Sequence, residues 1–522
     1  MTCNLRSADS MSIGWINVME ENSMGSCCVG DGVTDDAPAL NISIMDATSS
    51  GAGVVYLPPP PAGYLLKSPL VINTPCTILG FAGSPTSSTP PVTLILNNLA
   101  INAIEISNVD GVVLRGFSIT FTQPHALGGT GAAISVTNSS NILIDNIQLL
   151  GVANGILIDG SSDVVAKRCK YSPFAESPQG SVVGFKATNS SNQGGKRCRF
   201  LFCKVEETAT NLAIGFYVSK GYTDVFLYAC GVVHGYEGVH VSSESGGTPS
   251  GIRIAKFTSD HTITGLNLID GLDVAVSASI FTSSTGTTSP IIVASSYSGG
   301  PVTFMGSHVG DNPAGVSIQG GTVVTFVGCI FSNCDGDVIV IGASSGSPVN
   351  TKVSIAGCAF QKDTHLQSPN SSIHLENTFS GTLVCHGIVG GGGGGANAVP
   401  WAVQVDDCPG VFAIEGCAFG QYLNDPAIED NGTNGRRRIS NVVGYNPLGQ
   451  VPAPAVPPSK QLVQNSTGVD CLVYVFGGSV SNIRLTSEDK STGRTGGAFR
   501  VSAGDEIAVV YTAAPQWIWF DE

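Results

Sequence analysis

The chain has 522 residues and a formal charge of −15 at neutral pH, and only 12% of its residues are charged, about half the usual share. That balance argues against nucleic acid and anionic membrane surfaces as partners; it suits neutral or cationic glycans, and anionic ones only where a local basic patch or a metal intervenes. The 66 glycines and the lack of an apolar run of about 18 residues point to a repeat architecture without membrane insertion, in which each coil needs only its neighbours.

In chain order, Met1 to Glu20 lacks the basic and apolar regions of a secretion signal. A Cys-rich chain without such a signal reads as one assembled in a reducing cytosol. Next comes the polar turn Gly30-Asp31-Gly32-Val33-Thr34-Asp35-Asp36, then Ala37 to Ala47, where Leu40, Ile44 and Ala47 recur at helical spacing. Asp35 or Asp36 is expected to cap that helix. A β-branched strand, Gly53-Val54-Val55-Tyr56-Leu57, is closed by Pro58 to Pro61.

This order continues through Gly63-Tyr64-Leu65-Leu66, Leu70-Val71-Ile72 and Thr77-Ile78-Leu79-Gly80. It resembles the N-terminal signature of the pectate-lyase-like superfamily over about residues 15 to 120. Ala52-Gly53 stands where two glycines are usual, and the four prolines replace a shorter turn. The resemblance implies an all-β fold, a right-handed parallel β-helix with an N-terminal capping helix. Lyases, hydrolases and viral spikes share that fold, so it does not select a function.

Strand-like phrases then recur. Aligned on their apolar starts they give one column: Phe117, Ile147, Cys169, Cys203, Cys230, Phe257, Ser279, Ser307, Cys329, Cys358, Ile388 and Cys417, on average about 27 residues apart. An inward ladder of small and apolar side chains explains six of the 15 cysteines as core residues rather than disulfides. No C-x-x-C pair suggests a metal site, and no cofactor is implied; Cys27, Cys28 and Cys471 lie outside the ladder.

Just past the column, successive coils carry Glu206 and Glu207, then His234, then Asp260 and His261, with Glu237 and His240 further along the His234 coil. Coils about 4.8 Å apart would hold carboxylates two coils apart near the separation of inverting glycosidases, about 6.5–9.5 Å. Glu207 and Asp260 are the expected acid–base pair, with His234 between them. Glu206, Glu237 and His261 are expected glycan contacts. The alternative is a polar turn without chemistry. A pectate-lyase mechanism needs a run of calcium-holding aspartates, which is missing, although Arg253 and Lys256 flank Asp260.

The run Gly390 to Gly395 reads as a loop, and Arg436-Arg437-Arg438 as a solvated edge or a set of closing salt bridges. Four regions are expected: an entry segment (1–110), coils (111–446), a stiff Pro-rich linker (447–459) and a small C-terminal β-sandwich module (460–522). Trp517 and Trp519 either pack inside that module or its subunit interface, or form a sugar-stacking platform. The ending Tyr511 to Phe520 and the entry Asn446-Pro447-Leu448-Gly449 resemble C-terminal modules of bacteriophage tail proteins, particularly those of actinobacteria. Taken together, the resemblances imply a tailspike of the virion tail: a homotrimer assembled in the host cytoplasm, joined to other tail proteins, that binds a host surface glycan and is able to cleave it if the acids are a catalytic pair. A free polysaccharide lyase or hydrolase and a purely structural virion protein are the alternatives.

Overall fold

The structure is a computed structural model. It describes residues 14–521 except for 52, 82–91, 99, 122–129, 174–179, 191–192, 208–212, 283–288, 298, 322, 335, 344–345, 362–370, 392–398, 421, 423–426, 432–436, 441, 444–449, 468–469 and 486–489. Gly392 to Gly395, Arg436 and the Asn446 to Gly449 entry therefore lie outside the described residues. The chain divides into two compact units, one ending at Val302 and the other starting at Thr303. Both carry coils of a right-handed parallel β-helix.

In the first unit each full coil gives one strand to each of three parallel sheets. One coil lays Thr223–Tyr228 in sheet 1, Gly231–Val233 in sheet 2 and Glu237–Ser242 in sheet 3. The next stacks Ser250–Ala255, Thr258–Asp260 and Thr264–Leu268 on them in parallel register. Alternation turns Val225, Leu227, Val232, Val239 and Val241 inward, all fully buried. The stack is closed by the helix Ala37–Ser49, whose Leu40, Ile44 and Ala47 are buried. Of the two aspartates expected to cap it, Asp35 takes the first helical amide and Asp36 does not. Asp36 occupies the cap position without a side-chain cap bond. Its buried carboxylate instead accepts the Val29 and Gly30 amides at 2.7 and 3.2 Å. Asp35, one residue earlier, accepts Ala37 N–H at 3.2 Å and Lys67 N–H at 3.1 Å, tying the helix to the first coil.

The twelve-residue column is an inward ladder, with no member more than 2% exposed. Its position has a backbone cause. Each member directly follows a left-handed residue at the corner between sheets 1 and 2, with φ between 47° and 80°. Glycine fills six of these corners; Asn146, Arg168, Phe202, Ala229, Lys256 and Ala278 fill the others. The thiols are free. They also donate to sheet 1 carbonyls of the preceding coil: Cys203 Sγ to Ala166 O at 3.3 Å and Cys230 Sγ to Phe200 O at 3.2 Å. Cys28 and Cys471 are buried free thiols as well, whereas Cys27 is disulfide-bonded.

Sheet 3 has a second ladder, of glycine. A Cβ on Gly155, Gly184, Gly215 or Gly238 would lie 2.1, 2.9, 2.7 or 2.3 Å from the carbonyl oxygen of the glycine one coil on. Only glycine allows the chain to pinch in at that level.

The second unit carries further coils, from Val323–Val327, Ile330–Cys334 and Ile339–Ile341 to Arg437–Ser440. Arg437 pairs with Asp430 at 2.5 Å on the last coil. Two four-stranded antiparallel sheets follow. They enclose Cys471, Val473, Val475, Ile483, Phe499, Ile507, Val509 and both tryptophans as one core. The Pro-rich segment is part of this sandwich rather than a free-standing linker. Val451 pairs with Trp519, Pro454 O accepts Trp517 Nε1–H at 2.7 Å, and Pro457 O accepts Tyr511 O–H at 2.7 Å.

Candidate functional site

The acidic and imidazole residues singled out from sequence separate into two groups in the first unit. Glu206, Val233 and Asp260 are register partners on sheet 2. Asp260 Oδ1 lies 2.8 Å from His261 Nδ1, and the His261 ring lies 4.7 Å from that of His234. Both histidines occupy left-handed corners, φ 60° and 52°, at the exit from sheet 2. Glu206 pairs with Lys170 and Lys204. Burial acts to raise its pKa, but the two lysines outweigh it and hold the carboxyl below its ordinary value. Glu207 is buried and accepts the Ala213 amide at 2.7 Å. It precedes His234 in the ladder, since its N–H donates to Val233 O while that of His234 donates to Asp260 O.

Glu237 belongs instead to sheet 3. Its outward face carries, on four successive coils, the register partners Lys186, Tyr217, His240 and Asn267. His240 Nδ1 stands 2.5 Å from Glu237 Oε2, and Asn267 Nδ2–H donates to Glu237 Oε1 at 2.9 Å. The Tyr217 ring meets the His240 ring edge-on at 4.6 Å, and Lys186 Nζ sits 4.5 Å over the tyrosine. Tyr217 O–H donates to Glu244, which also faces Lys186 at 3.5 Å and Lys220 at 3.7 Å. Burial, then Glu244, push the tyrosine well above its ordinary value. Burial would raise Glu244 too, but the Tyr217 hydrogen bond and the two lysines lower it. The Glu237 carboxylate engages His240 at Nδ1, which leaves Nε2 as the ring nitrogen it does not touch, the arrangement of an oriented general base.

Tyr217, His240, Lys186 and Asn267 were not assigned a role from sequence, yet a signal for them exists. Each stands two residues after a ladder glycine: Gly184-Phe-Lys186, Gly215-Phe-Tyr217, Gly238-Val-His240 and Gly265-Leu-Asn267. Alternation then fixes all four side chains on one face.

The second unit holds a separate cluster, on the strand Ser371–Leu375. His374 Nδ1 lies 2.7 Å from Asp337 Oδ2, and its Nε2 lies 3.2 Å from Asp406 Oδ2 without the alignment of a hydrogen bond. Burial would lower this histidine, but the Asp337 hydrogen bond and the charges of both aspartates raise it to about 9. Trp517 and Trp519 are 7% and 0% exposed, with rings 5.5 Å apart. Both pack inside the sandwich, so neither presents an open ring face on this chain.

No family model matches the chain, and no curated protein matches it. Solved structures do. A tailspike double mutant of E. coli bacteriophage HK620, in complex with a pentasaccharide, aligns over 99% of this chain and 95% of its own, with TM-score 0.53 and 11% identity. The chain has the tailspike fold. A tailspike of bacteriophage CBA120 aligns over 89% of this chain and 68% of its own, with TM-score 0.45 and 13% identity. At these identities the tailspike likeness concerns architecture, and chemistry rests on the side chains described above.

Proposed function

We propose that this chain is a tailspike-like protein that binds a polysaccharide on the host cell surface. One observation carries the reading: four successive coils present Lys186, Tyr217, His240 and Asn267 in register on one outer face. A solenoid core gains nothing from such a row. Three steps of about 4.8 Å make a polar track about 14 Å long, suited to an extended chain of repeating hydroxyl groups. The pentasaccharide held by the HK620 tailspike supports the same ligand class.

Cleavage of the bound polysaccharide is a second reading, favoured by the Glu237–His240–Tyr217 constellation. In it His240 Nε2 takes a proton from the attacking water, and Tyr217 O–H gives one to the glycosidic oxygen as the glycosidic bond breaks. The working assembly is taken to be a homotrimer on the virion tail, built in the host cytoplasm alongside other tail proteins. Purified protein is incubated with host capsular or cell-wall polysaccharide, followed by co-sedimentation and chain-length analysis. Binding is expected; shortened chains add cleavage, and the absence of both supports the purely structural alternative.

A further inference from the structure

Sheet 1 of the first unit carries an unassigned groove of about 520 Å³, within the usual range of ligand sites. Its floor is the outward register row Arg199, Phe226, Arg253, one residue per coil. Arg253 is held by Asp273, Nη2 to Oδ2 at 2.5 Å and Nη1 to the backbone oxygen at 2.7 Å. Arg197 is likewise taken by Asp163 at 2.5 Å. Arg199 is exposed and has no carboxylate partner among the described residues. Beside it lies an aromatic surface. Phe226 and Tyr228 are 5.8 Å apart, Tyr228 meets Phe202 edge-on at 5.7 Å, and Phe202 is 52% exposed.

We propose that this groove is a subsite for a saccharide bearing a carboxylate. The proposal deepens the reading above and rests on it, since it names the charge of the sugar. A guanidinium with its fork free matches a carboxylate in two parallel hydrogen bonds. The half-buried Phe226 ring in the next coil, with the exposed Phe202 beside Arg199 on its own coil, offers an apolar surface to the C–H face of a pyranose. Arg–aromatic–arginine alternation about 4.8 Å apart thus fits a sugar ring and its acid group together. Lys196, next to Arg197, and Lys256, bonded to Tyr228, join the three arginines against Asp163, Asp224 and Asp273, which leaves a small positive excess on a chain of net charge −15. Asp224, on the groove wall, repels a carboxylate and confines it to the Arg199 side.

The test presents the full chain with a panel of uronate- and sialate-bearing oligosaccharides, each paired with its carboxyl-reduced, neutral counterpart. At least one acidic member should bind, and its neutral counterpart should bind about tenfold or more weakly. Arg199→Ala should weaken the acidic member about 10- to 100-fold, and Arg199→Lys should recover only part of that. Phe226→Ala should weaken both members of the pair. Equal binding of acidic and reduced forms, or parent affinity in Arg199→Ala, overturns the subsite while leaving glycan binding intact. Failure of every acidic and neutral glycan, including host polysaccharide, overturns both readings. A change in the mass of Arg199→Ala by light scattering identifies the face as an interface between copies of the chain and also overturns the subsite.

Discussion

His240 and Glu237 stand 2.5 Å apart, imidazole Nδ1 to carboxylate Oε2, on the outward face of a sheet and one helical coil from Tyr217. Their side chains are only 17% and 10% exposed. A carboxylate that buried is costly unless its partner stays in place.

Tyr217→Phe should report on function more than on folding, whereas His240→Ala leaves the buried Glu237 carboxylate without its histidine and should lower the melting temperature as well. Each should reduce polysaccharide cleavage about 10²-fold where cleavage occurs, and each should weaken binding. Thermal melts should shift little for Tyr217→Phe, which keeps the ring. Parent rates and parent affinity in both variants would remove the sheet 3 row from the site.

The corners make a prediction about the backbone. Ala229 is left-handed, with φ 51°, a conformation costing an alanine roughly 1–2 kcal/mol. Ala229→Gly should raise stability by about 0.5–1 kcal/mol once the greater freedom of unfolded glycine is set against it. Gly357 occupies the same corner with nothing within 4 Å of its absent Cβ, so Gly357→Ala should cost about 1 kcal/mol without any clash. Denaturant midpoints moving in the same direction for both variants would refute the corner argument.

The ladder itself can be broken with a charge. Cys358 is 1% exposed, and Cys358→Asp should destabilise by about 3 kcal/mol or more, because it buries an unpaired carboxylate. Thiol reagents should label Cys203, Cys230 and Cys358 only after unfolding. Rapid labelling of the native protein would place these thiols outside the core.

His374 sets a pH dependence on the second unit. Its folded pKa, about 9, lies above its ordinary value of 6.5. The stabilising effect is therefore full below about pH 6.5 and lost as pH rises through about 9. It amounts to at most about 3 kcal/mol. Asp337→Asn should remove most of that dependence; a melting temperature equally flat from pH 6 to pH 10 in the parent would contradict it.

The inward column was legible in the sequence because sheets 1 and 2 meet at a fixed two-residue corner, so offsets from Cys203 or Cys230 stay constant. The same constant offset puts Glu206 in register with Asp260, one residue away from the Glu207–Asp260 pair expected from the sequence. Sheet 3 was not legible, because turns of unequal length separate it from sheet 2. Glu237 was consequently grouped with the sheet 2 residues as a glycan contact, although it bonds His240 and Asn267 on sheet 3. Glu207 looked free to react, but its carboxylate turns to the Ala213 amide. Trp517 and Trp519 stand two residues apart on one strand, so both lie on one face, and the sequence alone did not say whether that face is the inner one. That face turns into the sandwich core, where Val473, Val475 and Ile483 pack with them and Val451 and Pro454 close over them from far away in sequence.

A crystal structure of the protein soaked with an oligosaccharide from its host surface is the most direct measurement. The account predicts sugar density running along the coils over Lys186, Tyr217, His240 and Asn267, within hydrogen-bond distance of His240 Nε2. Ordered sugar elsewhere on the molecule with that face empty would contradict it.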